Sequence, residues 1–202
     1  MKYIALAPLA ALIASAPALA AEFSGPFVEA HAGWDRANVK ISDATSTLKG
    51  RDNGTVYGAG AGYDFRRGNT VFGIDANIDD ANTKECVAAG TERACIKAGR
   101  DLSLGGRIGY VVAPKALIYA KAAYTNVRIG ATYTDSRIPA NNFSGHDERD
   151  GYRIGGGVEY AVTANAFVKA QYRYSDYKDY KDSGARIGVS RHQVLGAIGY
   201  RF

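Results

Sequence analysis

The sequence is poor in several residue types that mark common protein classes. Methionine and tryptophan occur once each, cysteine twice and histidine three times in 202 residues. Beyond the N-terminus no apolar run approaches the roughly 18 residues of a spanning helix, which excludes a helical membrane protein. The formal charge of +5 comes from scattered basic residues without a dense run. Nucleic acid is therefore not an expected partner.

Few residues could bind a metal or perform catalysis. Cys86 and Cys95 have no further Cys or His nearby, as a zinc site would require. His146 lies in an acidic stretch whose spacing does not match a calcium loop. Ser190 and His192 share one strand face, but no carboxylate is placed to orient the imidazole. We therefore expect no cofactor, no metal and no catalytic residue, and keep a lipid-modifying enzyme as the lesser alternative.

The first residues have the features of an export signal. A short basic start precedes an apolar run over residues 4–16, and an A-x-A cleavage site ends at Ala20. We expect residues 1–20 to be a removed signal peptide and residues 21–202 to form one domain. Export leads to an oxidising compartment, so the two cysteines named above are expected to form a disulfide.

The rest of the chain divides into eight segments in which apolar and polar residues alternate. All but the fifth, which is longer and frays, have 10 to 12 residues, about the length of a strand that crosses a membrane in a β-barrel. The segments are 26–35, 55–65, 70–79, 100–111, 116–133, 151–161, 165–175 and 191–202. The pattern predicts an all-β fold, an eight-stranded antiparallel up-and-down transmembrane barrel.

The connections between these segments alternate between short and long. The long ones are polar and cover 36–54, 80–99, 134–150 and 176–190. Outer-membrane barrels have short periplasmic turns and longer external loops, so both ends of the barrel domain are expected in the periplasm. Within the last long connection, Tyr177 and Tyr180 are interpreted as continuing a strand above the membrane.

The two faces of the segments differ in chemistry. One carries Tyr, Ile, Val, Phe and Ala, while the other carries glycine and ionised residues. Only lipid makes an outward apolar face favourable, so a soluble ligand-carrying barrel is the less favoured alternative. By the period of two, the inward-facing charges are Glu29, Asp64, Asp75, Asp101, Glu159, Arg107, Lys121, Arg153, Lys169 and Arg173.

Charges inside a narrow barrel must pair or contact water, because an isolated buried charge is very costly. An eight-stranded barrel is just wide enough for its side chains to fill. We therefore predict a salt-bridged interior, with His31 as a further member. Its central layer is predicted to be Glu29, Asp75, Arg107, Lys121, Glu159 and Lys169. The alternative function of the same interior is a narrow porin-like channel for ions or small solutes.

The eight-segment pattern, the export signal and the C-terminal LGAIGYRF together resemble the opacity-protein / OmpA-like family of outer-membrane β-barrels. In that family the terminal aromatic strand is read by the barrel-assembly machinery, which implies this role for Tyr200 and Phe202. The resemblance implies a monomeric outer-membrane barrel with a structural, envelope-integrity and surface-interaction role. The implied partners are membrane lipid and lipopolysaccharide, the assembly machinery and periplasmic chaperones, with a host or cell-surface ligand as a further candidate.

Overall fold

The computed structural model describes residues 23–42, 47–82, 84–89, 92–135, 143–182 and 185–202. The predicted signal peptide, residues 1–20, lies outside this part. Over the described residues the chain forms nine strands. They are β1 (Gly25–Ser42), β2 (Thr47–Arg67), β3 (Thr70–Ala81), β4 (Lys84–Ala89), β5 (Glu92–Ala113), β6 (Ala116–Asp135), β7 (Phe143–Ala161), β8 (Ala166–Asp182) and β9 (Ala185–Arg201). No helix in this part of the chain is long and apolar enough to span a membrane.

The strands close into an eight-stranded antiparallel barrel. Neighbours in sequence pair from β1 to β3 and from β5 to β9, and the ends of the sheet meet where β1 pairs with β9. Both β3 and β4 pair with β5, β3 along Asp101–Tyr110 and β4 along Glu92–Lys97. Thus β4 continues the wall position of β3, and the predicted fold is confirmed.

The strands are longer than the predicted segments, and this corrects the predicted loops. β1 continues to Ser42 and pairs there with Thr47 at the start of β2. β6 and β7 remain paired as far as Tyr133 and Phe143. The polar stretches lack apolar alternation because both of their faces meet water, so the period of two was not visible. Their backbone N–H and C=O groups nevertheless hydrogen-bond to one another across the ladder.

The short connections are tight turns, as predicted. β2 and β3 are joined through Gly68, whose φ of 63° is readily adopted by glycine. At the same end of the barrel, the amide of Val111 donates to the carbonyl oxygen of Asn69 at 2.8 Å. At the opposite end, Tyr177 and Tyr180 extend the β8–β9 ladder, opposite Val189 and Ile187.

Candidate functional site

The interior of the barrel holds its ionised side chains, while the exterior is apolar. Glu159 on the inward face of β7 is 1% exposed, and Arg153 on the same strand is fully buried. On the outward face of β9, Ile198 is 67% exposed. Aromatic side chains stand eight residues apart on the outer face of two strands, at Tyr57 and Phe65 and again at Tyr152 and Tyr160. At about 3.3 Å per residue and a tilt near 40°, this spacing corresponds to roughly 20 Å, close to the height of a membrane barrel's apolar band.

The half of the barrel near the short turns contains a compact set of ion pairs, named here the inner network. Its members are Glu29, Asp64, Arg107, Glu159, Lys169 and Arg201. Arg201 donates to Asp64 Oδ2 at 2.6 Å and to Glu159 Oε1 at 2.7 Å. Arg107 contacts the same two carboxylates, through Nε to Asp64 Oδ1 at 2.8 Å and Nη1 to Glu159 Oε2 at 3.3 Å. Lys169 Nζ lies 2.5 Å from Glu29 Oε2 and 3.4 Å from Glu159 Oε2. Three acids balance three bases, so the buried charge is neutral.

Aromatic rings line the inner network. Lys169 Nζ lies 4.5 Å from the centroid of Phe27 and 4.7 Å from that of Phe167. The guanidinium carbon of Arg107 lies 4.6 Å from the Phe27 centroid and 5.3 Å from that of Tyr119. Desolvated cations over ring faces gain about 2 kcal/mol in favourable cases. The rings therefore help to hold cations that have left water.

The half of the barrel toward the long hairpins contains a second set, the outer network. Its members are Asp35, Asp79, Asp101, Arg153, Arg173 and Arg191. Arg153 forms ion pairs with Asp79 at 3.0 Å and with Asp101 at 2.5 Å. Arg191 lies 2.7 Å from Asp35 and 3.5 Å from Asp101, and Arg173 lies 3.2 Å from Asp79. His31 also hydrogen-bonds to Asp79. Here again three carboxylates face three guanidinium groups.

A single ion pair, Lys121 with Asp75, lies between the two networks along the strands, and Asn77 donates to the same carboxylate at 2.6 Å. Six buried side-chain atoms of the lumen have no hydrogen-bond partner among the described residues. They are Asp75 Oδ1, Asn77 Oδ1, Gln171 Nε2, Arg173 Nε, His31 Nδ1 and Gln193 Oε1. Buried polar atoms of this kind normally bond to internal water. None of them belongs to the inner network, so the hydrogen bonding of the lumen is less complete from its middle toward the long hairpins.

An apolar cluster lies below the inner network, at the end with the short turns. It consists of Phe23, Val71, Val111, Leu117 and Ala161. Phe23 comes from the segment before β1 and is only 1% exposed. The N-terminal part of the barrel domain therefore contributes to closing this end.

All six predicted members of the central layer lie in the lumen, but they do not form one layer. Glu29, Arg107, Glu159 and Lys169 belong to the inner network, whereas the other two, Asp75 and Lys121, pair with each other. The lumen holds four further charges: Asp35 and Arg201 lie on the predicted inward face without being named among its charges, and Asp79 and Arg191 are absent from the prediction. The period of two would have found them, because each lies an even number of residues from an assigned inward charge or glycine on the same strand.

The remaining predicted residues lie outside the lumen. Tyr200 and Phe202 lie at the end of the chain and face outward, with ring centroids 5.1 Å apart. His192 also lies on the outward side, and its Nδ1 is 2.7 Å from the hydroxyl of Tyr172. Ser190 pairs in the ladder with Asn38 and with Asp176 on β8.

The predicted disulfide and the third histidine fall where side chains are not described. The backbone register places Cys86 directly opposite Cys95 in the β4–β5 ladder. Their side chains, and that of His146, lie outside the described part, so the disulfide stays a prediction. Among the described residues no group of His, Cys, Asp and Glu side chains could hold a metal ion.

A closed barrel with an apolar exterior and an ionised interior is a transmembrane β-barrel, since only lipid makes such an exterior favourable. The chain belongs to the outer membrane protein β-barrel domain family, whose model matches residues 4–202. It is thus a protein of the outer membrane, as predicted.

Individual known proteins agree with this assignment. A 22 kDa outer membrane protein of Rhizobium leguminosarum is 32% identical over 155 residues, which cover 73% of this chain and 68% of the relative. A 31 kDa outer-membrane immunogenic protein of Brucella melitensis is 25% identical over 191 residues, covering 88% and 78%. The crystal structure of Neisserial surface protein A matches with a TM-score of 0.51 at 19% identity, over 89% of this chain and 98% of that one. This last likeness concerns the fold alone.

Proposed function

We propose that this protein is a non-conducting, monomeric outer-membrane barrel that supports the envelope and presents its outer strands to the cell's surroundings. The observation that carries the proposal is the filling of the lumen by two charge-balanced networks. Glu159, for example, contacts three cations, Arg107, Lys169 and Arg201. Separating a buried pair costs about 3–5 kcal/mol when one partner is removed. An ion path would have to break several such contacts together.

Conductance in a planar lipid bilayer tests the closed lumen. The refolded wild-type protein is expected to give no discrete current steps. Lys121→Ala would remove the cation that pairs with Asp75 between the two networks, and Ile198→Ala is the matched control on the lipid face. Discrete openings of the wild type, abolished or enlarged by Lys121→Ala but not by the control, would favour the porin-like alternative.

The proposal that the outer strands are exposed to the cell's surroundings rests on the length of the barrel wall. β1 and β2 remain paired for eight residues beyond Trp34, the last outward aromatic residue of β1. At about 3.3 Å per residue and a tilt near 40°, this wall rises roughly 20 Å above the aromatic level. Such a wall offers a surface to a host or cell-surface ligand. The Brucella relative is named an outer-membrane immunogenic protein, which fits this proposal.

Labelling of intact cells tests this orientation. In a background lacking both native cysteines, Thr132→Cys on the exposed outer part of β6 is expected to react with a membrane-impermeant maleimide. Asn69→Cys in the turn between β2 and β3 is the matched control and is expected to react only after the cells are broken. The reverse pattern would place the long hairpins in the periplasm and overturn the proposal.

Assembly partners are proposed from the C-terminal strand. Tyr200 and Phe202 present adjacent outward rings, which suit recognition by the barrel-assembly machinery after delivery by periplasmic chaperones. Phe202→Ala is expected to lower the amount of folded barrel in the membrane, read as the heat-modifiable gel band. Ile198→Ala on the same strand should leave it unchanged. Equal yields of the two variants would remove this role from Phe202.

We further propose that the protein has no enzymatic activity on lipid. The imidazole of His192 is engaged by Tyr172 at 2.7 Å and stacks near Tyr174, with ring centroids 5.0 Å apart. This arrangement suits packing at an interface and does not direct the imidazole to activate Ser190. Lipid A profiles of cells carrying the wild type or Ser190→Ala are expected to match. A loss of acyl-chain modification in the variant would favour the enzyme.

A further inference from the structure

The outward faces of β2, β1, β9 and β8 form an ordered set of rows just beyond the apolar band. Trp34 marks the first row, where it pairs with Val194, which in turn pairs with Tyr172. Two residues further along each strand, the side chains become polar. The second row is Asn53, Arg36, His192 and Tyr174, and the third is Arg51, Asn38, Ser190 and Asp176.

A groove with a volume of about 440 Å³ lies over the third row. Its lining is mainly polar, with two valines and two glycines: Asn38, Lys40, Ser42, Arg51, Asp176, Ser190, Val39, Val189, Gly50 and Gly188. Gly188 lies on the same outward face of β9 as Ser190 and leaves room because it places no side chain into the groove. The groove is therefore open and mainly polar.

The charge of the groove and its rim is positive. Arg36, Lys40 and Arg51 contribute three cations, and Asp176 is the one acid among the residues of the rows and the groove lining. That carboxylate accepts a hydrogen bond from the hydroxyl of Tyr174 at 2.9 Å. Lys40 and Arg51 form no ion pair with another described residue. The groove thus suits an anion.

Arg36 is held in place for such contact. Its guanidinium carbon lies 4.7 Å from the ring centroid of Trp34, and its Nε donates to Asn53 Oδ1 at 3.1 Å. Among the described residues no group bonds to its two terminal nitrogens, and a fixed guanidinium fork matches the geometry of a phosphate. Asn38 and Ser190 add neutral groups that can hydrogen-bond sugar hydroxyls.

We propose that this groove binds the phosphorylated saccharide headgroup of an outer-leaflet glycolipid. The level argues for a lipid headgroup as occupant, because outward aromatic residues lie at the membrane interface and the groove begins four residues, roughly 10 Å, beyond Trp34. Arginine and lysine recognise the phosphates, and the amide and hydroxyl groups recognise the sugar. The inference deepens the proposed surface role and rests on the long hairpins facing outward.

Binding of purified lipopolysaccharide to the refolded, detergent-solubilised protein tests the site. The double variant Arg36→Gln/Arg51→Gln is expected to bind about tenfold or more weakly, because charge-assisted hydrogen bonds are lost. Arg100→Gln/Arg128→Gln is the matched control, since it removes two exposed cations from β5 and β6 on another part of the wall. This control is expected to bind as the wild type does.

Two further probes identify the ligand. Dephosphorylated lipopolysaccharide should bind weakly to all variants, and millimolar inorganic phosphate should not compete. Competition by inorganic phosphate would identify a free-phosphate site and overturn the glycolipid assignment, as would equal losses in the two double variants. The heat-modifiable band and the bilayer conductance report folding and lumen closure separately. A failure of this inference is therefore distinguishable from a failure of the proposed function.

Discussion

Lys169 Nζ lies 2.5 Å from Glu29 Oε2, although the two residues are 140 positions apart in the chain. Lys169 is on β8 and Glu29 on β1, and β9 runs between them. Their ladder partners on β9 are Ala197, which has only a methyl group, and Gly199, which has no side chain, so the lumen is open for the pair to cross. The ion pair therefore bridges the seam where the first and last strands close the barrel.

The balance of the inner network can be tested at its most connected acid. Glu159→Gln leaves three buried cations facing two carboxylates, and we expect the free energy of unfolding to fall by about 3–5 kcal/mol. The measurement is the urea midpoint of the barrel refolded in lipid. Glu148→Gln, an exposed position on the same strand, is the control and should change little.

A compensating variant separates charge balance from packing at this site. Glu159→Gln/Lys169→Met removes one acid and one base, so the network is neutral again. We expect this double variant to recover part of the lost stability. Equal midpoints for wild type and Glu159→Gln would mean that the network contributes no stability.

Two glycines on β9 give a matched test of lumen packing. A Cβ at Gly199 would overlap Cζ of the Phe167 ring, whereas one at Gly196 would meet nothing within 4 Å. Gly199→Ala must displace Phe167, and we expect it to cost about 1–3 kcal/mol. Gly196→Ala should be neutral or stabilising by up to about 1 kcal/mol. The measurement is the urea midpoint of each variant. A larger loss of stability for Gly196→Ala than for Gly199→Ala would contradict the assignment of position 199 to the lumen.

The lipid-facing assignment of β9 can be tested with one introduced charge. Ile198→Arg places a cation on the outward face within the apolar band, where we expect a loss of about 2–4 kcal/mol. Thr132→Arg adds the same charge to an exposed position on the outer part of β6 and should cost little. The free energy of unfolding in lipid is the measurement. Similar effects of the two variants would mean that Ile198 does not contact hydrocarbon.

The predicted disulfide has a direct chemical test. Directly opposed residues on antiparallel strands have Cα atoms about 4.5–5.5 Å apart, within the range of a disulfide. Cys86 and Cys95 are such a pair. We expect neither to react with a maleimide in the denatured, non-reduced protein, and both to react after reduction. Reaction without reductant would show free thiols.

Much of the lumen could be predicted from residue order because side chains alternate strictly along a strand. Glu29, Arg107 and Lys169 were placed inward by this period alone, and the structure buries all three. Asp79 and Arg191 were missed because they lie at or near the edge of a predicted segment. The length of the strands was not predictable from the same signal, since alternation disappears where both faces of a strand meet water.

Residue order alone was enough to predict eight alternating segments, an apolar face for lipid and a charged face for the interior. The pairing of acids with bases depends on the folded barrel. Arg153 and Asp79 are 74 residues apart, on strands that are not neighbours, and they meet across the lumen. Such contacts depend on the register of every ladder around the closed barrel, and the alternation within a single strand carries no information about that register.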